Sequence, residues 1–208
     1  MTSVEAEPAV AGTIFGDRVD LARAFTDALA REGEERGLIG PLEPPRLWTR
    51  HVLNCAVVAP LLHPGVVGDV GSGAGLPGLV LAIARPDVRF VLIEPMERRV
   101  AWLNEQKAAL GLDNVEVVRA RAEDARLGFE LDQVTARAVS AFRKLIPLTA
   151  PLVRNGGELV LMKGANAQAE IDASVKEMRR FHLHDVGVVV LGEGLLDEVT
   201  RVIRATVR

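Results

Sequence analysis

Between Asp69 and Gly78 the chain reads Asp-Val-Gly-Ser-Gly-Ala-Gly-Leu-Pro-Gly, directly after Val66-Val67-Gly68. No other stretch constrains the fold as tightly. The order is strand, glycine turn, then a helix with Pro77 in its first turn, where a missing N–H does no harm. Glycines tolerate positive φ and carry no Cβ, so a bulky ligand can lie directly against the backbone of the turn. In an open parallel sheet the first strand-to-helix turn is also where ligands sit, outside the carboxyl ends of the strands.

From Val66 onward, short apolar runs alternate with helical patterns, which is how a chain writes a parallel sheet with crossover helices. Strands are expected near 66–71, 88–94, 115–119, 131–137, 157–163, 184–191 and 199–207, with helices near 77–85, 97–110, 121–126, 142–153 and 166–179. The last two strands have only a short connection around Gly192-Glu193-Gly194, with no room for a crossover helix, so that pair should form an antiparallel, hairpin-like edge. The predicted class is α/β, a Rossmann-like, mostly parallel seven-stranded sheet with an antiparallel edge strand and an N-terminal helical extension.

Upstream, Phe15, Val19, Ala22, Phe25, Ala28 and Leu29 recur at helical spacing over 13–31. After a loop rich in glycine and proline, Leu47, Trp48, His51, Val52, Cys55, Val58 and Leu62 predict a second amphipathic helix. The division is therefore a flexible tail over 1–12, a helical extension over 13–64 and the main domain over 65–208, compact with the extension. No apolar run approaches the roughly 18 residues of a membrane span, and the first residues lack the basic start of a secretory signal, which predicts a cytoplasmic protein. Cys55 is the single cysteine and the histidines have no partners at metal spacing, so neither a disulfide nor a metal is expected. A net charge of -3 argues mildly against nonspecific coating of nucleic acid.

Two cofactors compete for the turn. A dinucleotide fingerprint would require a third glycine where Leu76 stands. The pattern present, Asp69-x-Gly71-x-Gly73-x-Gly75, resembles instead the first motif of Rossmann-like S-adenosylmethionine methyltransferases. Glu94 ends the next strand at a spacing from which a carboxylate accepts both ribose hydroxyls of either cofactor. Ala122-Glu123-Asp124, after the third strand, occupies the stretch where such methyltransferases place a residue against adenine.

A more particular resemblance covers most of the chain. Arg46-Leu47-Trp48-Thr49-Arg50-His51-Val52-Leu53-Asn54-Cys55, the Leu76-Pro77-Gly78 end of the turn, Ile83-Ala84-Arg85-Pro86, Glu94-Pro95, Thr135-Ala136-Arg137-Ala138 and Leu161-Met162-Lys163-Gly164 are similar to the bacterial RsmG (GidB) family. That family methylates a guanine N7 in small-subunit ribosomal RNA. The chain departs from it between the first two helices, where Glu34 to Gly40 lacks the family's Trp-Asn stretch. The resemblance implies S-adenosylmethionine as cofactor and small-subunit ribosomal RNA or the 30S subunit as partner. Its cofactor contacts fall on Gly71, Leu76, Ala122, Glu123 and Arg137, beside Asp69, Gly73, Gly75 and Glu94 of the turn and its acid.

Guanine N7 carries a lone pair and no proton, so transfer onto it requires alignment and no general base. Arg137, at the end of the fourth strand, is expected in the site, facing guanine O6, a phosphate or the cofactor. Arg50, His51 and Lys163 are candidate RNA contacts, with a packed His51 and a plain surface Lys163 as the competing readings. A methyltransferase of the same fold acting on a small molecule or protein is the alternative function. The absence of a long exposed apolar stripe predicts a monomer.

Overall fold

The computed structural model describes residues 4–208. Seven strands form one sheet in the order β3-β2-β1-β4-β5-β7-β6. They are β1 (Val66–Val70), β2 (Arg89–Ile93), β3 (Val115–Val118), β4 (Leu131–Arg137), β5 (Val153–Lys163), β6 (Leu183–Leu191) and β7 (Thr200–Val207). The first five pair in parallel, and β7 runs antiparallel to both β5 and β6. The hairpin-like last pair is as expected, but its antiparallel member lies one place in from the edge. The last strand is inserted between β5 and β6, leaving β6 outermost.

Alternate residues of the inner strands point into two separate cores, so Phe90–Ile93 of β2 and Leu159–Met162 of β5 read as unbroken apolar runs. Phe90, Leu92, Val160 and Met162 face one side, where α2 (Val19–Glu32), α4 (Gly78–Ala84) and α5 (Glu97–Ala109) supply Phe25, Leu29, Ile83 and Trp102. Val91, Ile93, Leu159 and Leu161 face the other, against Phe142, Leu145 and Ile146 of α6 (Phe142–Thr149). Each such buried side chain contributes about 1.5–3 kcal/mol.

The N-terminal segment shares the first core and is fastened to it by polar bonds. Arg18 Nε donates to Ile83 O (2.6 Å), and Arg85 Nη1 donates to Ala59 O (2.9 Å) and Leu62 O (2.5 Å). The free tail expected over 1–12 is not found in its described part. The short α1 (Val10–Phe15) begins inside it, Glu7 pairs with Arg23, and Glu5 accepts the Thr49 N–H.

The second amphipathic helix is also different from expectation. Leu47–Leu53 is a π-helix, followed by the three-residue α3 (Asn54–Ala56) and a 3-10 turn at Ala59–Leu61. Pro60 has no N–H to continue the helix. The wider π turn brings Leu47 over Val52 and Trp48 over Leu53, all four buried, and leaves Arg50 and His51 toward the end of β4. Downstream, the helix expected over 166–179 is two helices, α7 (Ala167–Asp172) and α8 (Val175–Arg180), broken where Ser174 Oγ bonds back to Glu170 O.

Candidate active site

Strand order reverses between β1 and β4, which opens a crevice at their carboxyl ends. The glycine turn forms one side. Gly71, Gly73 and Gly75 have φ of +73°, +55° and +93°, a region that L side chains enter at a cost. Gly71 N–H reaches across to Ile93 O, tying the turn to β2. A Cβ on Gly73 would meet nothing closer than Gly71 O at 3.7 Å, so the backbone is open there.

Glu94, 2 % exposed, lies under this opening. One of its oxygens accepts Gly73 N–H (2.9 Å) and the other accepts Met96 N–H (3.0 Å). Each carboxylate oxygen keeps a second lone pair, so the same side chain that shapes the turn can still take two hydroxyl donors. Trp102 Nε1 donates to Ala74 O and braces the turn from α5. Leu76 is partly buried against the first core, Ala122 is buried in the 3-10 turn after β3, and Glu123 beside it is exposed.

Asp69 is fully buried below the turn. Its Oδ2 accepts Gly78 N–H (3.0 Å), while Oδ1 has no partner among the described residues, nor has Thr135 Oγ1, on its register neighbour in β4. Burial pushes the Asp69 carboxyl up to about 7, with Glu94 adding to the rise and hydrogen bonds from Ser72 and Gly78 opposing it. A raised folded value means that this group's contribution to stability is full below its unfolded value of 3.8 and is lost as pH rises through about 7. Asp69→Asn is therefore expected to gain on the wild type as pH increases from 5 to 8, by on the order of a few kcal/mol, read as several degrees in melting temperature. Melting curves that keep a constant separation across that range would refute it.

On the β4 side the turn is roofed by the segment leading to α6. Ala138 sits at φ +54° and Val139 leans over the turn, so a Cβ on Gly71 would lie 2.9 Å from Val139 Cγ2. A buried ion pair pins this segment. Lys163 Nζ donates to Ser140 O (2.6 Å) and pairs with Glu170 (2.8 Å), which in turn accepts Phe142 N–H (2.6 Å). The amine expected to meet a phosphate is thus 6 % exposed and already committed to a carbonyl and a carboxylate.

Beyond this roof is a cleft of about 660 Å³, lined by Arg50, Asn54, Arg137, Met162, Lys163 and Arg201, with Asp197 and Glu198 at its rim. Arg137 is half-buried in its wall. Nη1 donates to Cys55 Sγ (3.3 Å), and Nη2 donates to Arg50 O (3.0 Å) and to His51 Nδ1 (2.9 Å). Of the five N–H donors of a guanidinium, these bonds use three. Two remain, on Nη1 and Nε, without a protein acceptor among the described residues. His51 has both ring nitrogens engaged within the protein, the second held by Glu43 Oε2 at 2.5 Å. Cys55 is fully buried and burial pushes its thiol up, which suits a packed residue rather than a nucleophile.

Charge is distributed unevenly between the two ends of the sheet. At the amino ends of the strands, arginines are matched: Arg85 with Asp87, Arg89 with Glu116 and Arg154 with Asp132. At the carboxyl ends, Arg119 pairs with Glu97 and Lys163 with Glu170, whereas Arg98, Arg121, Arg143 and Lys144 are exposed and carry no carboxylate partner among the described residues.

The residues brought together here include several with no signal in the sequence. Asp197, Glu198 and Arg201 reach the cleft from far along the chain, and Glu43 stands behind it on His51, through contacts that no local spacing encodes.

The model of the family described as "GidB: rRNA small subunit methyltransferase G" matches residues 18–198. The ribosomal RNA small subunit methyltransferase G of Leifsonia xyli subsp. xyli is 76% identical over 206 residues, covering 99% of each chain. That of Corynebacterium glutamicum is 48% identical over 200 residues, covering 94% of this chain and 90% of its own. Among solved structures, the N-methyltransferase NodS from Bradyrhizobium japonicum, in complex with S-adenosyl-L-homocysteine, superposes with a TM-score of 0.58 at 16% identity. It covers 86% of this chain and 98% of that one. A SAM-dependent methyltransferase from Aquifex aeolicus gives a TM-score of 0.52 at 20% identity, covering 71% and 85%. These two likenesses establish the fold.

Proposed function

The chain belongs to the rRNA small subunit methyltransferase G family, and from that premise we propose that it moves a methyl group from S-adenosylmethionine to N7 of a guanine in small-subunit ribosomal RNA. The carrying observation is that an open glycine turn with its buried acid and a cleft walled by Arg137 share one carboxyl edge of the sheet. The residues present fit the donor: Gly73 leaves the backbone bare, Glu94 has lone pairs to spare and Asp69 Oδ1 is an unmatched acceptor beneath the turn. Bound there, S-adenosylmethionine supplies an electrophilic methyl on sulfur.

The chain's own work is alignment. Glu94 would hold the ribose hydroxyls, Leu76 and Ala122 would offer apolar contact, and Glu123 would stand at the adenine end. The two uncommitted donors of Arg137 would be free for guanine O6, a phosphate oxygen or the cofactor carboxylate. No proton leaves N7, so no residue has to act as base, consistent with a neutral His51 spent on internal hydrogen bonds. We read residues 13–208 as one folding unit acting as a single chain, since the cleft is walled by both the N-terminal segment and the main domain. With ribosomal RNA as substrate, the place of action is the cytoplasm.

Incubation with labelled S-adenosylmethionine and unmodified 30S subunits or 16S RNA is expected to yield 7-methylguanosine by mass spectrometry of the digested RNA. Label confined to protein or small molecules would overturn the assignment. The unmatched cations of the carboxyl edge should also make RNA binding salt-dependent, with a log–log slope of about −0.7 to −0.9 per phosphate contact. Replacing Arg143 and Lys144 together by alanine is expected to flatten that slope by roughly 1.5. An unchanged slope would take this face out of the RNA path.

A further inference from the structure

We infer that Glu43 and His51 are positioning residues for Arg137, forming a carboxylate–imidazole–guanidinium chain that fixes where its free donors point. This rests on Arg137 working in the transfer site as proposed above. The hydrogen-bond logic allows one arrangement. A guanidinium only donates, so the 2.9 Å contact makes His51 Nδ1 an acceptor. The proton of a neutral ring then sits on Nε2 and is donated to Glu43 Oε2 at 2.5 Å.

Glu43 is itself held, since Arg46 Nη2 donates to its Oε1 (2.8 Å) and Arg46 Nε to its Oε2 (3.2 Å), with Arg50 Nε 3.7 Å away. The imidazole side chain is 12 % exposed and that of Glu43 19 %, so water competes little for either. His51 is delivered by the π-helix, whose second half lies at the carboxyl end of β4 beside Arg137, and Glu43 comes from the stretch just before it.

Protonation would break it. A doubly protonated ring turns an Nδ1–H against the Arg137 N–H, and the guanidinium must move away. The groups facing His51 are Glu43, Arg46 and Arg50 from its own segment, Arg137 from β4 and the neutral Cys55 thiol, with Glu5 capping Thr49 N–H nearby. Burial first, then the Arg137 guanidinium, keep the imidazole below its ordinary value of 6.5, against the pull of Glu43. Burial pulls the Glu43 carboxyl upward, but the bonds from His51 and Arg46 outweigh it and hold the group ionised.

The test measures kcat and KM on unmodified 30S subunits from pH 5.5 to 8, together with S-adenosylmethionine affinity by titration calorimetry. The proteins compared are the wild type, His51→Ala, His51→Asn, Glu43→Gln, Arg137→Ala and the His51→Ala/Arg137→Ala double variant. Wild-type kcat should fall on the acid side with a midpoint under the ordinary histidine value. His51→Ala should lower kcat roughly tenfold or more with little change in KM or cofactor affinity. His51→Asn, whose amide oxygen can replace Nδ1, should recover most of the loss and show no acid limb, and it serves equally if His51→Ala folds poorly. Glu43→Gln should shift the limb to lower pH. The double variant should be no worse than Arg137→Ala alone, because the histidine acts only through the arginine. Multiplying losses in the double variant, or an acid limb retained in His51→Asn, would overturn the chain while leaving Arg137 in the site. An Arg137→Ala enzyme with undiminished transfer would overturn both readings together.

Discussion

Gly78→Ala is expected to melt about 5–15 °C below the wild type, although the backbone there is an ordinary helical first turn. Space decides the outcome. A Cβ at this position would collide with Leu92 Cδ2 and come within 2.5 Å of Asp69 Oδ2, with Asp69 Cβ at 3.1 Å. These neighbours belong to β2 and β1, whose pairing leaves no room to retreat. Forcing a methyl group into such a site costs about 1–3 kcal/mol. The displacement also stretches the Gly78 N–H bond to Asp69, whose other oxygen already lacks a partner, and a buried polar group left unmatched costs about 1–3 kcal/mol more. For a chain of this size each kcal/mol moves the midpoint by about 2–4 °C. Gly12→Ala is the control: it lies in α1 with nothing within 4 Å of a new Cβ, and a helical Gly→Ala exchange should be neutral or stabilising by up to about 1 kcal/mol. Equal melting temperatures for the two variants would show that the close fit of α4 on the sheet is not what Gly78 provides.

Arg137→Ala carries the largest expected catalytic effect, a fall in methyl transfer of roughly a hundredfold or more, since small errors of alignment are worth that much in a reaction that depends on positioning. Truncation removes the two donors aimed at the ligand and also strands His51 Nδ1 and Arg50 O at the cleft wall. Arg137→Lys should recover little, because a single ammonium cannot reproduce three fixed contacts and two further donors. Calorimetry separates its possible tasks. A loss confined to turnover on RNA places the free donors on the base or a phosphate, whereas a matching loss of S-adenosylmethionine affinity places them on the cofactor. Full activity in Arg137→Ala would remove it from the site.

What could be read in advance followed the range of the forces involved. β4 was expected at 131–137 and is Leu131–Arg137, although Asp132, Gln133 and Thr135 interrupt its apolar residues; the continuous apolar run of a strand buried on both faces is Phe90–Ile93 of β2. The glycine turn and Glu94 were equally legible, since a positive φ and a strand end leave local marks. β5 begins earlier than its apolar run, at Val153, since Asn155 and Gly156 look like a turn and in fact form a bulge, where the register with β4 jumps from Leu131↔Val153 to Gln133↔Glu158. The π-helix was invisible: residues 47–55 repeat at a spacing that suits an α-helix, and only the partners waiting on β4 favour the wider turn. Lys163 and His51 went the same way. Lys163 reads as an RNA contact or a plain surface residue and His51 as either packed or facing RNA, and the partners that hold them are ones that spacing does not bring near, Glu170 and Ser140 for one, Glu43 and Arg137 for the other. The bond from Arg137 to Cys55 spans 82 positions.

The walls of the large cleft are drawn from opposite ends of the polypeptide. Arg50 and Asn54 come early, Asp197 to Arg201 come last, and Thr200 Oγ1 closes the ring on Asn54 O across 146 positions. Such a contact is among the slowest for a folding chain to find. It also depends on the final strand sliding into place beside β5. Removing β7 is therefore expected to spare the glycine turn, carried by β1 and α4, while taking Thr200 and Arg201 away from the wall of the cleft.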